Sequence, residues 1–207
     1  IRLILSSQAV PKQRRLQGGW RYSPASPESD LSISIWQLMA LRSAKNDGMD
    51  VPSEAIEDAL GYLRNSYTGR RTETGVSAGG FSYTPGQPRA SFAMTAAGLL
   101  AMQVCGQYDA PEVTAAADWL LGHQPKSNER YLFYGLYYYA QGMHQVGGQY
   151  AKESAKIVAD MLLPRQRRDG SWLAPGGEER NVGMVYSTSL AILSLSVRYH
   201  YLPIYQR

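Results

Sequence analysis

The sequence predicts an all-α protein whose helices form two layers. Two observations support this prediction: four segments contain no Asp, Glu, Lys or Arg, and amphipathic helices occupy the intervals between them. The charge-free segments are residues 31–41, 90–108, 131–150 and 181–197. A helix that is uncharged all round is buried on most sides, whereas an amphipathic helix is buried on one face. The alternation therefore indicates an inner layer of buried helices wrapped by an outer layer of half-buried ones.

The composition excludes several classes of protein. A chain of 207 residues with 44% hydrophobic and 18% charged residues is neither disordered nor long enough to suggest two domains. A net charge of +4 is too small and too scattered along the chain to indicate nucleic-acid binding. Residues 90–108 approach the roughly 20 residues that a membrane crossing needs. Four polar residues interrupt them, so we expect no transmembrane helix.

The outer helices are predicted at residues 54–67, 112–123 and 151–163. The first of them places Ile56, Leu60 and Leu63 on one face and Glu57 and Asp58 away from it. The other two repeat this design with apolar residues at helical spacing. Each outer helix is therefore expected to bury one face against the inner layer.

Internal repeats connect the two layers. The sequence GGWRYSP at residues 18–24 recurs as GGFSYTP at residues 79–85, and a third copy begins with GSW at 170–172. Residues 131–142 resemble a degenerate copy whose aromatic turn has merged with its helix. Each unit is interpreted as an outer helix, a Gly-aromatic turn and an inner helix. Repeats that cannot bury their own faces must stack, which makes a solenoid or a closed ring.

One repeat resembles a known family. The sequence QRRDGSW at residues 166–172 matches the Q-x-x-D-G-S-W repeat of squalene and oxidosqualene cyclases, and residues 13–20 form a looser copy. Residues 188–195 are similar to the inner helices of those enzymes and of protein prenyltransferase β subunits. The resemblance implies an α/α toroid, in which antiparallel helical hairpins form a ring around a cavity. Residues 1–207 would supply one domain with a partial ring, as the C-terminal part of a longer chain or as an arc that closes on a partner.

The chemistry of that family is not matched. Squalene–hopene cyclases protonate their substrate from a D-x-D-D motif, which aligns here with Asp30-Leu31-Ser32-Ile33. Only the first aspartate is present, and Ser32 occupies the position of the proton donor. Prenyltransferases hold zinc with Asp, Cys and His, but Cys105 lies in an apolar segment without an expected histidine partner. We therefore expect a divergent member of the family with neither metal nor cofactor.

The candidate site residues follow from the inner helices. Asp30 is a weak candidate for a catalytic acid, because aspartate at the start of a helix more often serves as an N-cap. Aromatic side chains on these helices could line a cavity and stack on a sugar, an isoprenoid or a cation, or simply pack in the core. These ligand-binding candidates are Trp36, Tyr131, Tyr134, Tyr138 and Tyr186.

Three functions are consistent with the sequence. The first is a non-catalytic binding or scaffold module whose aromatic-lined cavity takes an apolar or isoprenoid small molecule, or a protein segment that completes the ring. The second is an isoprenoid or terpenoid cyclase-like enzyme whose acid lies outside this chain. The third is a carbohydrate-active enzyme, because α/α toroids lined with Tyr and Trp also occur in that class.

Overall fold

The computed structural model describes residues 1–72 and 75–199, and the prediction of an all-α fold is confirmed. The helices are α1 (Arg2–Gln8), α2 (Leu31–Asn46), α3 (Ser53–Ser66), α4 (Phe92–Val104), α5 (Pro111–Gly122), α6 (Leu132–Val146), α7 (Gly148–Leu162), α8 (Gly177–Val182) and α9 (Met184–Leu195). Short 3₁₀ helices cover Arg14–Leu16, Leu163–Arg165 and Val197–Tyr199. Two short antiparallel strands, β1 (Arg71–Thr72) and β2 (Gly75–Val76), form a hairpin after α3.

Helices α4, α6 and α9 lie within charge-free segments, and α2 begins in one but continues past it through Arg42 and Lys45. These four helices pack against one another in chain order. The amphipathic helices lie behind them. Helix α3 contacts α2 and α4, α5 contacts α4 and α6, and α7 contacts α6 and α9. Within the described residues, α2 and α9 stand at the two ends of this inner row and do not pack against each other.

Helix α4 occupies the centre of the row, and every one of its 13 residues is buried. Inner helices flank it on two sides and outer helices cover its back, so no position along it can hold a charge without desolvating that charge. This explains why its sequence is apolar all round. The helix is also shorter than a bilayer is thick, and none of the helices that the structure describes could cross a membrane.

The aromatic turns make the same contacts in each repeat. In all three copies the aromatic residue donates its backbone N–H to a hydroxyl oxygen on the following inner helix. The pairs are Trp20 with Ser34 at 2.9 Å, Phe81 with Thr95 at 3.0 Å and Trp172 with Thr188 at 3.0 Å. The internal sequence repeat is thus also a repeat of hydrogen bonds.

The glycines of these turns are required by close packing. A Cβ atom on Gly80 would lie 2.2 Å from the Thr95 hydroxyl oxygen, so any side chain there would displace the hydroxyl that holds the turn. Gly18 has a φ of +83°, and a Cβ atom there would lie 2.1 Å from the Asp58 carbonyl oxygen. Both positions therefore exclude larger residues.

Candidate functional site

The N-terminal ends of α2, α4, α6 and α9 surround a cavity of about 760 Å³. Two aromatic turns complete its wall, because they run directly into α2 and α4. The aromatic residues that line the cavity are Tyr22, Trp36, Tyr83, Tyr131, Tyr134 and Tyr186. Ile33, Ala93 and Met94 supply aliphatic surface between the rings. The cavity therefore offers mainly aromatic and aliphatic surface to a ligand.

Four of the predicted ligand-binding residues meet in this cavity: Trp36, Tyr131, Tyr134 and Tyr186. Tyr138 lies one turn further along α6, where it is 3% exposed and is not among the lining residues. Its ring packs against those of Tyr134 and Tyr137, at centroid distances of 4.7 Å and 4.9 Å. Tyr138 thus supports the wall from behind.

Trp36 differs from the tryptophans of the aromatic turns. Its side chain is 58% exposed, whereas Trp20 and Trp172 are 1% and 3% exposed. The turn tryptophans are enclosed because their indole nitrogens donate to Ile4 and Leu162 carbonyl oxygens, each at 2.8 Å. Trp36 lies on α2, beside Tyr138 of α6, and keeps more than half of its surface exposed. Its ring is therefore available to a molecule in the cavity.

The hydroxyl of Tyr134 is buried and has no hydrogen-bond partner among the described residues. Burial, and next the neighbouring Tyr138, raises the pKa of Tyr134 well above its ordinary value. Burial also raises the pKa of Tyr83 to about 12, with Asp30 contributing. These phenols are therefore neutral at physiological pH, and the Tyr134 hydroxyl lies beside Tyr138 within the wall of the cavity.

Asp30 lies at the N-cap of α2 and is fully buried. Its Oδ1 atom accepts hydrogen bonds from the Ile33 N–H at 3.0 Å and from the Ser32 hydroxyl at 2.6 Å. Its Oδ2 atom pairs with Arg21 Nη1 at 2.7 Å. Asp30 is not among the lining residues of the cavity. Ser32, at the position aligned with the proton donor of the cyclases, does line it and donates its hydroxyl to Asp30.

A second charged group lies at the edge of the cavity. Arg130 Nη2 pairs with Glu178 Oε1 at 2.7 Å, and the Tyr131 hydroxyl donates to Glu178 Oε2 at 2.6 Å. These hydrogen bonds, first from Tyr131 and then from Arg130, hold the pKa of Glu178 below its ordinary value. The carboxylate on α8 thus fixes the orientation of a tyrosine that lines the cavity.

The adjacent residue, Glu179, caps α6 from outside that helix. It is 3% exposed, and its carboxylate accepts hydrogen bonds from the backbone N–H groups of Phe133 at 3.2 Å and Tyr134 at 2.9 Å. Burial raises the pKa of Glu179 above its ordinary value. The carboxylate therefore anchors the first turn of α6, which carries the lining residue Tyr134 and directly follows Tyr131.

Sequence reasoning missed both glutamates, although one signal pointed to them. Helices α2 and α4 begin with capping residues of their own, Asp30 and Ser91, whose side chains accept from the third residue of the helix. Helix α6 begins after Tyr131, which makes no such bond. An uncapped buried helix needs an acceptor from elsewhere. The absence of Ser, Thr, Asp or Asn at this position was the available clue.

The described residues do not form a metal-binding site of the usual ligand types. Among residues 1–72 and 75–199, no three His, Cys, Asp or Glu side chains lie close enough to hold a metal ion. Cys105 is buried, and burial raises the pKa of its thiol to about 12. His200, the third histidine of the chain, lies outside the described residues.

The site as a whole combines apolar walls, neutral hydroxyls and carboxylates that cap helices or form ion pairs. Such a site can bind and orient a molecule, and Glu129 is the only carboxylic acid among its described lining residues. No protein-family model matches the chain, and no curated protein matches it.

Proposed function

We propose that this chain is a non-catalytic binding module whose aromatic cavity takes an apolar small molecule. The observation that carries the proposal is the convergence of six aromatic side chains from the inner helices and the turns on one cavity. Its volume of about 760 Å³ falls within the range of small-molecule sites, roughly 300–1,000 Å³. Apolar lining with a few polar groups is typical of such sites.

The size of the cavity sets an expected affinity. A ligand that buries about 300 Å² of apolar surface gains about 7 kcal/mol from the hydrophobic effect. Association itself costs several kcal/mol of translational and rotational freedom. Millimolar dissociation constants are therefore expected for ligands that use the aromatic wall alone.

Two observations favour binding over catalysis. Asp30 is engaged as a helix cap and in an ion pair with Arg21, so the cyclase alternative needs an acid from outside this chain. Most glycoside hydrolases use a pair of carboxyl groups. Glu129 is the only carboxylate among the described lining residues, which ranks the carbohydrate alternative below simple binding.

We also propose that the helices belong to an α/α toroid of the squalene cyclase and prenyltransferase type. The order of the inner row, the outer helices behind it and the repeated turn contacts support this proposal. In a ring, the exposed face of α9, with Val185 83% and Ile192 53% exposed, would pack against a further hairpin or a partner segment. An experimental structure with an inner row in another order would contradict the proposal.

The binding proposal is tested with Nile red, a neutral dye that fluoresces in apolar surroundings, and with farnesol as a competitor. We expect the chain to bind the dye and farnesol to displace it. Trp36→Ala should weaken dye binding about ten-fold, because the exposed ring contributes more to the ligand than to the core. The matched control is Leu163→Ala, which removes a side chain that is 56% exposed at the end of α7. Equal dye binding by wild type and both variants would contradict the proposal.

A further inference from the structure

Of the two charged residues in the described lining of the cavity, one forms an ion pair and the other does not. Glu129 and Arg130 are the charged residues among its described lining. Arg130 is paired with Glu178 at 2.7 Å, so its positive charge is balanced outside the cavity. Glu129 has neither an ion pair nor a side-chain hydrogen bond among the described residues. The charge left without a partner at the cavity is therefore negative.

The nearby arginine Arg21 does not alter this balance. It is not among the lining residues, and its Nη1 pairs with Asp30 at 2.7 Å and donates to the hydroxyl of the lining residue Tyr83 at 3.1 Å. Glu28 lies 3.9 Å from the same guanidinium. Two carboxylates thus face one arginine, and no positive charge is left over on this side.

The aromatic rings favour a cation for a separate reason. The face of an aromatic ring carries partial negative charge and attracts ammonium and guanidinium groups within about 6 Å. Three of the lining rings already hold a guanidinium: Arg21 lies 5.3 Å from the Tyr22 centroid and 5.9 Å from that of Tyr83, and Arg130 lies 5.1 Å from that of Tyr131.

The other three rings are free of such contacts. Among the described residues, no arginine or lysine lies over Trp36, Tyr134 or Tyr186. These three side chains come from α2, α6 and α9, so they face the cavity from different helices. Together they offer a ligand cation three rings that hold no cation of the protein, although the Tyr134 ring also packs against that of Tyr138.

Anionic, neutral and cationic ligands would interact differently with Glu129 and the aromatic rings. An anion would meet the Glu129 carboxylate and the negative ring faces. A neutral apolar molecule would cover the rings but would desolvate Glu129 without pairing it, which costs free energy. An ammonium group pairs with the carboxylate while its apolar substituents cover the rings. We propose, on the basis of the binding function above, that the cavity selects an organic cation: an ammonium group with apolar substituents.

The test is isothermal titration calorimetry of the full chain with hexyltrimethylammonium, 1-hexanol and hexanesulfonate. The ammonium is expected to bind at least about ten-fold more tightly than the alcohol or the sulfonate. An isosteric pair, choline and 3,3-dimethylbutan-1-ol, separates charge from shape, and choline should bind more tightly. A preference for the alcohol or the sulfonate would overturn the proposal.

Substitutions at Glu129 and Trp36 test which side chains produce the preference for an ammonium group. Glu129→Gln keeps the shape of the side chain and should weaken the ammonium about five-fold, while the affinity for 1-hexanol stays the same or rises, because an amide costs less to desolvate than a carboxylate. Trp36→Leu keeps an apolar side chain without a ring and should weaken the ammonium about ten-fold. Glu57→Gln, an exposed substitution on α3 that is not part of the cavity, is the matched charge control and should change neither affinity.

The outcomes separate this proposal from the one on which it rests. If Nile red and 1-hexanol bind but Glu129→Gln leaves the ammonium affinity unchanged, the cation preference is refuted and the binding function stands. If neither the dye nor any of these ligands binds, both proposals fail. Thermal melts of Glu129→Gln should match the wild type, because the Glu129 side chain makes no hydrogen bond or ion pair with the described residues.

Discussion

Replacing Glu179 by alanine is expected to lower the free energy of unfolding by about 2 kcal/mol. The side chain is 3% exposed, and it accepts from the backbone N–H groups of Phe133 and Tyr134 at 3.2 Å and 2.9 Å. Alanine would leave both N–H groups buried at the start of α6 without this acceptor. The loss of a helix cap of this kind costs about 0.5–2 kcal/mol, and bonds to a charged acceptor lie at the upper end.

Glutamine at the same position should cost less than alanine, about 1 kcal/mol or below at pH 7. It keeps one acceptor oxygen and removes a buried charge. Burial raises the pKa of Glu179 above its ordinary value, so between the unfolded and folded pKa values the folded protein binds more protons. The wild type therefore loses stability relative to Glu179→Gln as the pH rises through that window. The cost of glutamine should shrink as the pH rises from the ordinary glutamate pKa, about 4, through the raised pKa of the folded protein.

Urea unfolding followed by circular dichroism measures the stability cost of each substitution and the change of that cost with pH. Because the other titrating groups are the same in wild type and variant, their contributions cancel when the two free energies of unfolding are subtracted. The neighbouring Glu178→Ala is the control, because the Arg130–Glu178 pair is exposed and should contribute less than about 1 kcal/mol. Equal losses for Glu179→Ala and Glu178→Ala would refute the role of Glu179 as a cap. A cost of glutamine that grows with pH would refute the attribution of the raised pKa to burial.

Three further substitutions test the packing, each by urea unfolding. Thr95→Val should cost about 1–2 kcal/mol, because it removes the acceptor of the buried Phe81 N–H at 3.0 Å while keeping the shape; an unchanged midpoint would contradict that role. Gly98→Ala should cost about 2 kcal/mol, because its Cβ would lie 2.5 Å from the Phe81 ring, whereas Gly61→Ala, with open space around it, should stabilise α3 slightly. Trp172→Phe should cost about 1 kcal/mol or more, because it removes the indole hydrogen bond to the last carbonyl of α7 at 2.8 Å; a neutral effect would show that the bond is dispensable.

The fold class could be predicted because burial suppresses charge over whole helices. Helix α4 is the clearest case, since all of its residues are buried and none is charged. The same pattern did not reveal that α2 and α9 are open on one side. Trp36 is 58% exposed and Val185 is 83% exposed, yet both lie in charge-free segments. An apolar surface looks the same in sequence whether or not another helix covers it.

The aromatic wall of the site was partly visible in the sequence. The helical spacing that selects Tyr131 and Tyr134 also selects Tyr138, because spacing along one helix does not say where a cavity ends. Tyr22 and Tyr83 were noticed only as members of a repeat, although both line the cavity. Their counterpart in the third copy is Ala174, which is 1% exposed. The third turn forms without this tyrosine, which indicated that Tyr22 and Tyr83 are not needed for the turn itself and could have another role.

The acidic part of the site could not be predicted from local sequence. Glu178 and Glu179 lie more than forty residues after the groups that they contact, Arg130, Tyr131 and the start of α6. Only the packing of α9 beside α6 brings α8 to this edge. Contacts of this kind depend on the tertiary arrangement of the inner row, which periodicity along the chain does not encode.

The most direct test of the proposed binding site is an NMR titration of ¹⁵N-labelled protein with farnesol. The chain contains four tryptophans, and Trp36 alone lines the described cavity. Binding there should shift the Trp36 indole signal and the backbone amides that begin α2, α4 and α6, while the indole signals of Trp20 and Trp172 stay in place. Saturable shifts confined to the exposed face of α9, or an unchanged Trp36 signal at saturation, would contradict the binding site.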